Sequence, residues 1–144
     1  MIDIKRRADI QLARGIYEVL TDVYEKSPWR LEQIEQDLSS SQTWYAVAME
    51  GEDVLGFLAV QENDFEAEVL HIAVKKAYQG QGLASALFAL LPKNKEVFLE
   101  VRASNQPALL FYQKEEFKEI ARRKGYYHEP VEDAIIMKRE INER

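Results

Sequence analysis

With 144 residues, 47% hydrophobic and 31% charged, the chain is predicted to form one soluble domain spanning 1–144, with a single sizeable core. The absence of cysteine excludes disulfides, zinc–thiolate sites and cysteine nucleophiles, and His71 and His128 stand far apart with no ligand cluster near either, which argues against a metal site. A net charge of −6, from 19 basic and 25 acidic residues, disfavours direct contact with bare nucleic acid and suits a basic protein or peptide partner. No apolar run reaches membrane-spanning length and no basic-then-apolar leader is present, so a cytoplasmic protein without a membrane partner is expected.

In chain order, Ile2-Asp3-Ile4 alternates like a short first strand. Asp9 can cap a helix whose apolar positions Leu12, Ile16, Val19, Leu20 and Val23 recur at helical spacing. Ser27-Pro28-Trp29 breaks that helix, and Leu31, Ile34 and Leu38 mark a second, short one. Thr43 to Met49 and Val54 to Gln61 form a hairpin around Glu50-Gly51-Glu52-Asp53. Asn63-Asp64 turns into a central strand from about Glu66 to Val74, and a turn at Gly80–Gly82 opens a helix to about Leu91, stopped by Pro92. Val97 to Val101 reads as a buried strand, and Asn105 caps a helix to about Lys114. Phe117 to Arg123 and Ala134 to Arg139 are the last two strands, with Tyr126-Tyr127 in or near their connection. The order is one strand, two helices, three strands, helix, strand, helix and two strands. It predicts a mixed α/β sheet with a ligand loop at the end of its central strand.

That loop is the most informative stretch. From Leu70 the chain runs through an apolar strand, crosses a turn containing Gly80 and Gly82, and enters a helix. Glycine reaches positive φ and leaves no Cβ in a ligand's way, and unpaired N–H groups at a helix start suit an anion. A P-loop would need a lysine after its last glycine, and position 83 is Leu83. A dinucleotide fingerprint would need a third glycine, and position 85 is Ser85. Gln79-x-x-Gly82-x-Ala84 does fit a known pattern. It resembles the Gln/Arg-x-x-Gly-x-Gly/Ala pyrophosphate loop of the GNAT superfamily of acetyl-CoA-dependent N-acetyltransferases. An ordinary strand-to-helix turn that uses glycine for its backbone freedom is the competing reading.

Outside the loop, Glu100 interrupts an apolar, β-branched strand and is expected to be at least half buried. A buried carboxylate must be hydrogen-bonded or shifted upward in pKa, and the second case would suit a general base for an ammonium substrate. Pairing with Arg102 or with a charge on a neighbouring strand is the structural alternative. Tyr112 lies seven residues beyond Asn105 and shares its helical face. A phenol there could protonate a thiolate, or could be a core tyrosine beside Phe111. Glu66, Glu68 and His71 are rival bases; Glu68 would share a face with Leu70 and Ile72, and His71 would point the other way. Trp29, Tyr126 and Tyr127 could line a substrate groove or cap the core, and Arg122-Arg123-Lys124 reads as a solvated basic turn.

Further segments extend the resemblance over nearly the whole chain. Leu99 to Asn105 followed by Leu110-Phe111-Tyr112 is similar to the second signature of the RimI-type GNAT enzymes. Gly125-Tyr126-Tyr127, Glu132 to Met137 and Pro28-Trp29 also look like that group's patterns. The resemblance implies the GNAT fold, a central mixed, mostly antiparallel sheet of about six to seven strands flanked by four helices. It implies Glu100 as general base and Tyr112 as general acid. Ile72, Ala73 and Val74 would pair with the pantetheine arm of acetyl-CoA, Gln79, Gly80, Gln81, Gly82, Leu83, Ala84 and Ser85 would hold its pyrophosphate, and Asn105 would contact it from the other side. Trp29 and Tyr126 would then line a peptide groove. Such enzymes acetylate the N-terminal alanine amine of small-subunit ribosomal protein eighteen by direct transfer in a ternary complex. Two departures stand out: no basic side chain occurs from Gln79 to Ser85, and Ala84 replaces the commoner second glycine. An enzyme acting on a lysine side chain or small amine, and a non-catalytic acyl-CoA-binding module, are the other readings.

Overall fold

The computed structural model describes residues 1–24 and 26–141. Among them, seven strands form: β1 (Ile2–Arg7), β2 (Thr43–Glu50), β3 (Asp53–Glu62), β4 (Glu66–Val74), β5 (Glu96–Arg102), β6 (Lys118–Tyr127) and β7 (Glu132–Arg139). Four α-helices accompany them: α1 (Ala13–Tyr24), α2 (Leu31–Ser39), α3 (Leu83–Phe88) and α4 (Gln106–Lys114). The strands make one sheet in the order β1-β2-β3-β4-β5-β7-β6. The β1–β2, β2–β3, β5–β7 and β6–β7 pairs are antiparallel; β4–β5 is parallel, with Glu66–Glu68 opposite Glu96–Phe98. The expected class, strand count and element order are all found. The chain divides into two compact units, Met1–Glu62 with Leu70–Leu91, and Asn63–Val69 with the described residues from Pro92 onward.

In the first unit, β3 is buried from Val54 to Val60, so it reads as a continuous apolar run covered on both faces. One face receives the α1 stripe Ala13, Ile16, Val19 and Leu20 together with Ile34 and Leu38 of α2, all packed on Tyr45, Val47, Phe57 and Ala59. Burying Ile16, Leu20 and Ile34, each fully, contributes roughly 1.5–3 kcal/mol apiece. The other face carries Ala48, Leu55 and Val74 against Leu83 at the start of α3. The approach of α1 to β3 is close: a Cβ added to Gly15 would lie 2.6 Å from Val54 Cγ2. Two local expectations change. Asp9 does not cap a helix through its side chain; it binds Arg7, a charge-assisted partner two residues back, and a 3-10 turn over Ile10–Leu12 leads into α1. The helix expected to reach Leu91 ends at Phe88, where tighter bonds from Leu90 N–H to Leu87 O and from Leu91 N–H to Phe88 O wind it down.

The second unit is built on β5, whose burial alternates residue by residue. Its inward set, Val97, Leu99 and Val101, is buried, as are Ala67, Phe117, Ile135 and Met137. Asn63 accepts from the N–H groups of Phe65 and Glu66, which fixes the turn into β4. Asn105 caps α4 as expected, its Oδ1 accepting from Ala108 N–H at 3.3 Å, with a proline in the first helical turn. The basic run Arg122-Arg123-Lys124 is not a turn. It lies inside β6, which continues to Tyr127, so both tyrosines close a strand rather than a loop.

Candidate functional site

The first unit supplies a turn made almost entirely of backbone. After Val74, Lys75 N–H donates to Leu55 O at 2.8 Å and a 3-10 turn covers Lys76–Tyr78. Gly80 and Gly82 both sit at φ 82°, in the left-handed region, and a Cβ at either would meet nothing within 4 Å. Glycine is therefore required for its dihedral, and the space above the turn is open. Gly82 caps α3, and its carbonyl accepts from Ala86 N–H at 3.0 Å. Gly80, Gln81, Gly82 and Ser85 face solvent; Leu83 and Ala84 face inward, packing with Ala48, Leu55 and Val74. Gln79 does something the motif alone did not indicate: its Nε2 donates to Val74 O at 2.9 Å, tying the turn back to β4. Asp22 of α1 accepts from Lys76 N–H at 2.7 Å and pins the other side.

His71 lies on the α1–α2 face, away from the rival-base position, as alternation predicts. Its ring stacks on Phe57 with centroids 5.9 Å apart and meets Trp29 edge-on at 5.1 Å, and its Nε2 is hydrogen-bonded to Tyr24 Oη at 3.0 Å. Burial lowers its pKa to about 4, so the imidazole is neutral at pH 7 and a weak base. Trp29 is half-buried against His71 and Phe57, and Ser27 Oγ donates to Trp29 O at 2.6 Å and shapes its turn.

The second unit holds the charged candidates. The Glu100 side chain is 25% exposed, and its carboxylate lies 3.7 Å from an Arg123 guanidinium nitrogen. The partner is thus a β6 residue reached past β7, not Arg102 on the same strand. Arg102 instead pairs with Glu132 at 3.2 Å and stacks over Tyr127 at 4.4 Å. Glu132 also accepts from Ser104 N–H at 2.6 Å, which locks the turn leading to Asn105, and this bond and Arg102 hold its carboxyl below the usual range. The Arg123 guanidinium covers Tyr126, 5.2 Å from its centroid, and Tyr126 meets Tyr127 edge-on. Burial first, then the Glu100 charge, raises the Tyr127 phenol. Partial burial, Glu100 and Glu66 together raise Glu68, with Arg123 opposing them. Tyr112, on α4, is half-buried with its ring against Phe111 and Phe117. The pairings of Arg123 with Glu100 and of Glu132 with Arg102 are the ones that local sequence did not single out; a β6–β7 register would have found Arg123, since it pairs with Ala134 two residues before Glu100's partner Ile136.

The first unit's glycine turn and the second unit's part-buried glutamate can now be set beside known proteins. A family model described as the acetyltransferase (GNAT) family matches residues 11–117. The chain belongs to the acetyltransferase (GNAT) family. An N-alpha-acetyltransferase RimI of Mycobacterium tuberculosis is 32% identical over 78% of this chain and 76% of its own length. A Bacillus subtilis protein described as a candidate ribosomal protein bS18-alanine N-acetyltransferase is 33% identical over 89% of each chain. An uncharacterized Mycobacterium leprae protein is 31% identical over 79% of this chain, which spans only 34% of that longer relative. Among solved structures, the ribosomal-protein-S18-alanine N-acetyltransferase of Escherichia coli superposes with a TM-score of 0.88 at 27% identity, covering 100% of this chain and 96% of that one. The resemblance of the GNAT chain to RimI-type members therefore holds across independent comparisons. No helix among its described residues is long and apolar enough to cross a membrane.

Proposed function

We propose that the protein transfers the acetyl group of acetyl-CoA to the α-amine of a protein N-terminus, namely the N-terminal alanine of a small-subunit ribosomal protein in the cytoplasm. The observation that carries this reading is the match, over three quarters or more of their length, to relatives named for N-terminal acetylation. The residues fit the donor. The turn from Gln79 to Ser85 offers open space over two glycines and backbone donors rather than cationic side chains, and Ile72 to Val74 lead directly into it. Asn105 is the proposed contact from α4.

In the proposed reaction the acceptor arrives largely as an ammonium, since an α-amine has a pKa of about 8. Glu100, acting through a water, removes a proton. The nitrogen then attacks the thioester carbonyl, which a β4 backbone N–H at Ile72 or Val74 polarises; the C–N bond forms, the C–S bond breaks, Tyr112 protonates the leaving sulfur, and the second proton shed by nitrogen balances, through solvent, the one that restores the phenol. Trp29 and Tyr126 are the proposed contacts for the peptide.

The test is coenzyme A release from acetyl-CoA with a basic peptide beginning in alanine, followed with a thiol reagent and completed by mass spectrometry. The protein has no cysteine, so its own background is nil. Turnover with the label on the α-amine supports the reading. Label only on lysine would move the enzyme to side-chain amines, and donor binding without release from any amine would leave a binding module.

A further inference from the structure

Glu68 is the carboxyl group that this reading leaves unused. In the β4–β5 register Glu68 lies opposite Phe98, and side chains alternate faces along a strand. Glu100, two residues beyond Phe98, therefore projects from the same face on the neighbouring strand, as does Glu66 two residues before Glu68. Arg123 reaches the same face from β6 and sits on Glu100. The two carboxyls differ in surroundings: Glu100 is three-quarters buried and ion-paired, whereas Glu68 is more open to solvent and has no salt bridge among the described residues.

Acetyl transfer to an ammonium releases one net proton. R–NH3⁺ and the thioester become amide, thiol and H⁺; one of the two protons lost by nitrogen matches the one that Tyr112 delivers to sulfur, and the other must leave. A part-buried Glu100 needs a route to solvent for it. Resting on the function proposed above, we infer that Glu68 is the outer member of a carboxyl pair, taking from Glu100 the proton withdrawn from the acceptor ammonium and passing it to solvent. The charges that face Glu68 suit it to hold that proton briefly: Glu66 on its own strand and Glu100 from β5 favour the protonated form, and Arg123 from β6 limits how far.

The experiment joins a titration to kinetics. In protein carrying ¹³C-labelled glutamate carboxyls, Glu68 should titrate above the ordinary carboxylate range and move down in Glu100→Gln. With an alanine-initiated peptide, Glu68→Gln should lower kcat roughly tenfold and leave the KM for acetyl-CoA unchanged, and Glu68→Asp should restore most of the loss. Combining Glu68→Gln with Glu100→Gln should cost little beyond Glu100→Gln alone, because the outer carboxyl works only through the inner one. A Glu68 titration indifferent to Glu100→Gln, or fully multiplicative losses in the double variant, would overturn the pair. Inactivity of the wild type towards every amine would instead sink the acetyltransfer reading, and the titration would still decide whether the carboxyls are coupled.

Discussion

The turn after β4 and the charged face around Glu100 hold their groups by different means. The turn is mostly local: Val74 O, Gln79 Nε2, Gly80 and Gly82 lie within nine consecutive residues, and two positive dihedrals with the Gln79 hydrogen bond define it, Asp22 of α1 adding one grip on Lys76 N–H from outside. The charged face is assembled from a distance. Arg102 and Glu132, thirty residues apart, meet only because β5 pairs with β7, and Arg123 reaches Glu100 only because β6 pairs with β7 in turn. A backbone site of the first kind tolerates changes of side-chain charge and fails when a dihedral is forbidden. A site of the second kind fails when one charge loses its partner.

Substitutions can break or sharpen this contrast. The largest effect is expected for Glu100→Gln, which should lower kcat roughly 10²- to 10⁴-fold and move the remaining activity to higher pH, where the amine arrives unprotonated. Calorimetry should find acetyl-CoA binding unchanged in the same variant; joint loss of both would erase the distinction between the two regions. Next comes His71, which no step uses. Its folded pKa near 4 lies below the unfolded value of about 6.5, so the unfolded chain binds the extra proton and stability falls as pH drops through that window, by up to about 3 kcal/mol. Denaturant titrations at pH 7 and pH 4.5 should show a larger loss in wild type than in His71→Phe. Tyr112→Phe should slow turnover about tenfold at saturating donor with little change in donor affinity, and equal rates in the two proteins would leave Tyr112 as packing for Phe111 and Phe117. The smallest change is expected for Gly82→Val. Forcing a β-branched residue to φ 82° costs about 1–2 kcal/mol, which should appear as roughly tenfold weaker acetyl-CoA binding while kcat at saturation stays near wild type.

Much of the molecule was legible because its determinants are short-ranged. The α1 stripe, the β5 strand, the Asn63 turn and the Asn105 cap all involve residues within a few positions of each other, and each forms as expected, though β5 buries alternate residues rather than its whole run. Gly80 and Gly82 were readable for the same reason. Asp9 misled because its carboxylate pairs with Arg7 and makes no bond to the backbone N–H groups of the helix start. The basic run at Arg122–Lys124 misled because its composition resembles a turn and its strand partner, Ala134, is supplied by a later segment. Glu100 was expected to be at least half buried, with pairing as one alternative, but Arg123 could not be named until the order β5-β7-β6 was known. The contacts of Arg102 with Tyr127 and Glu132 were hidden on the same account.

Gly15 shows how a residue remote from any chemistry can act as a ruler. Its missing side chain sets the height of α1 above β3, because the first atom of any replacement would collide with Val54. The same helix, two turns on, carries Asp22, whose carboxylate grips Lys76 N–H beside the glycine turn, and Tyr24, whose hydroxyl meets His71. A single methyl group at position 15 would therefore be felt as a lever, lifting both grips at once. The tolerance of the glycine turn is in this sense written into the thickness of a helix.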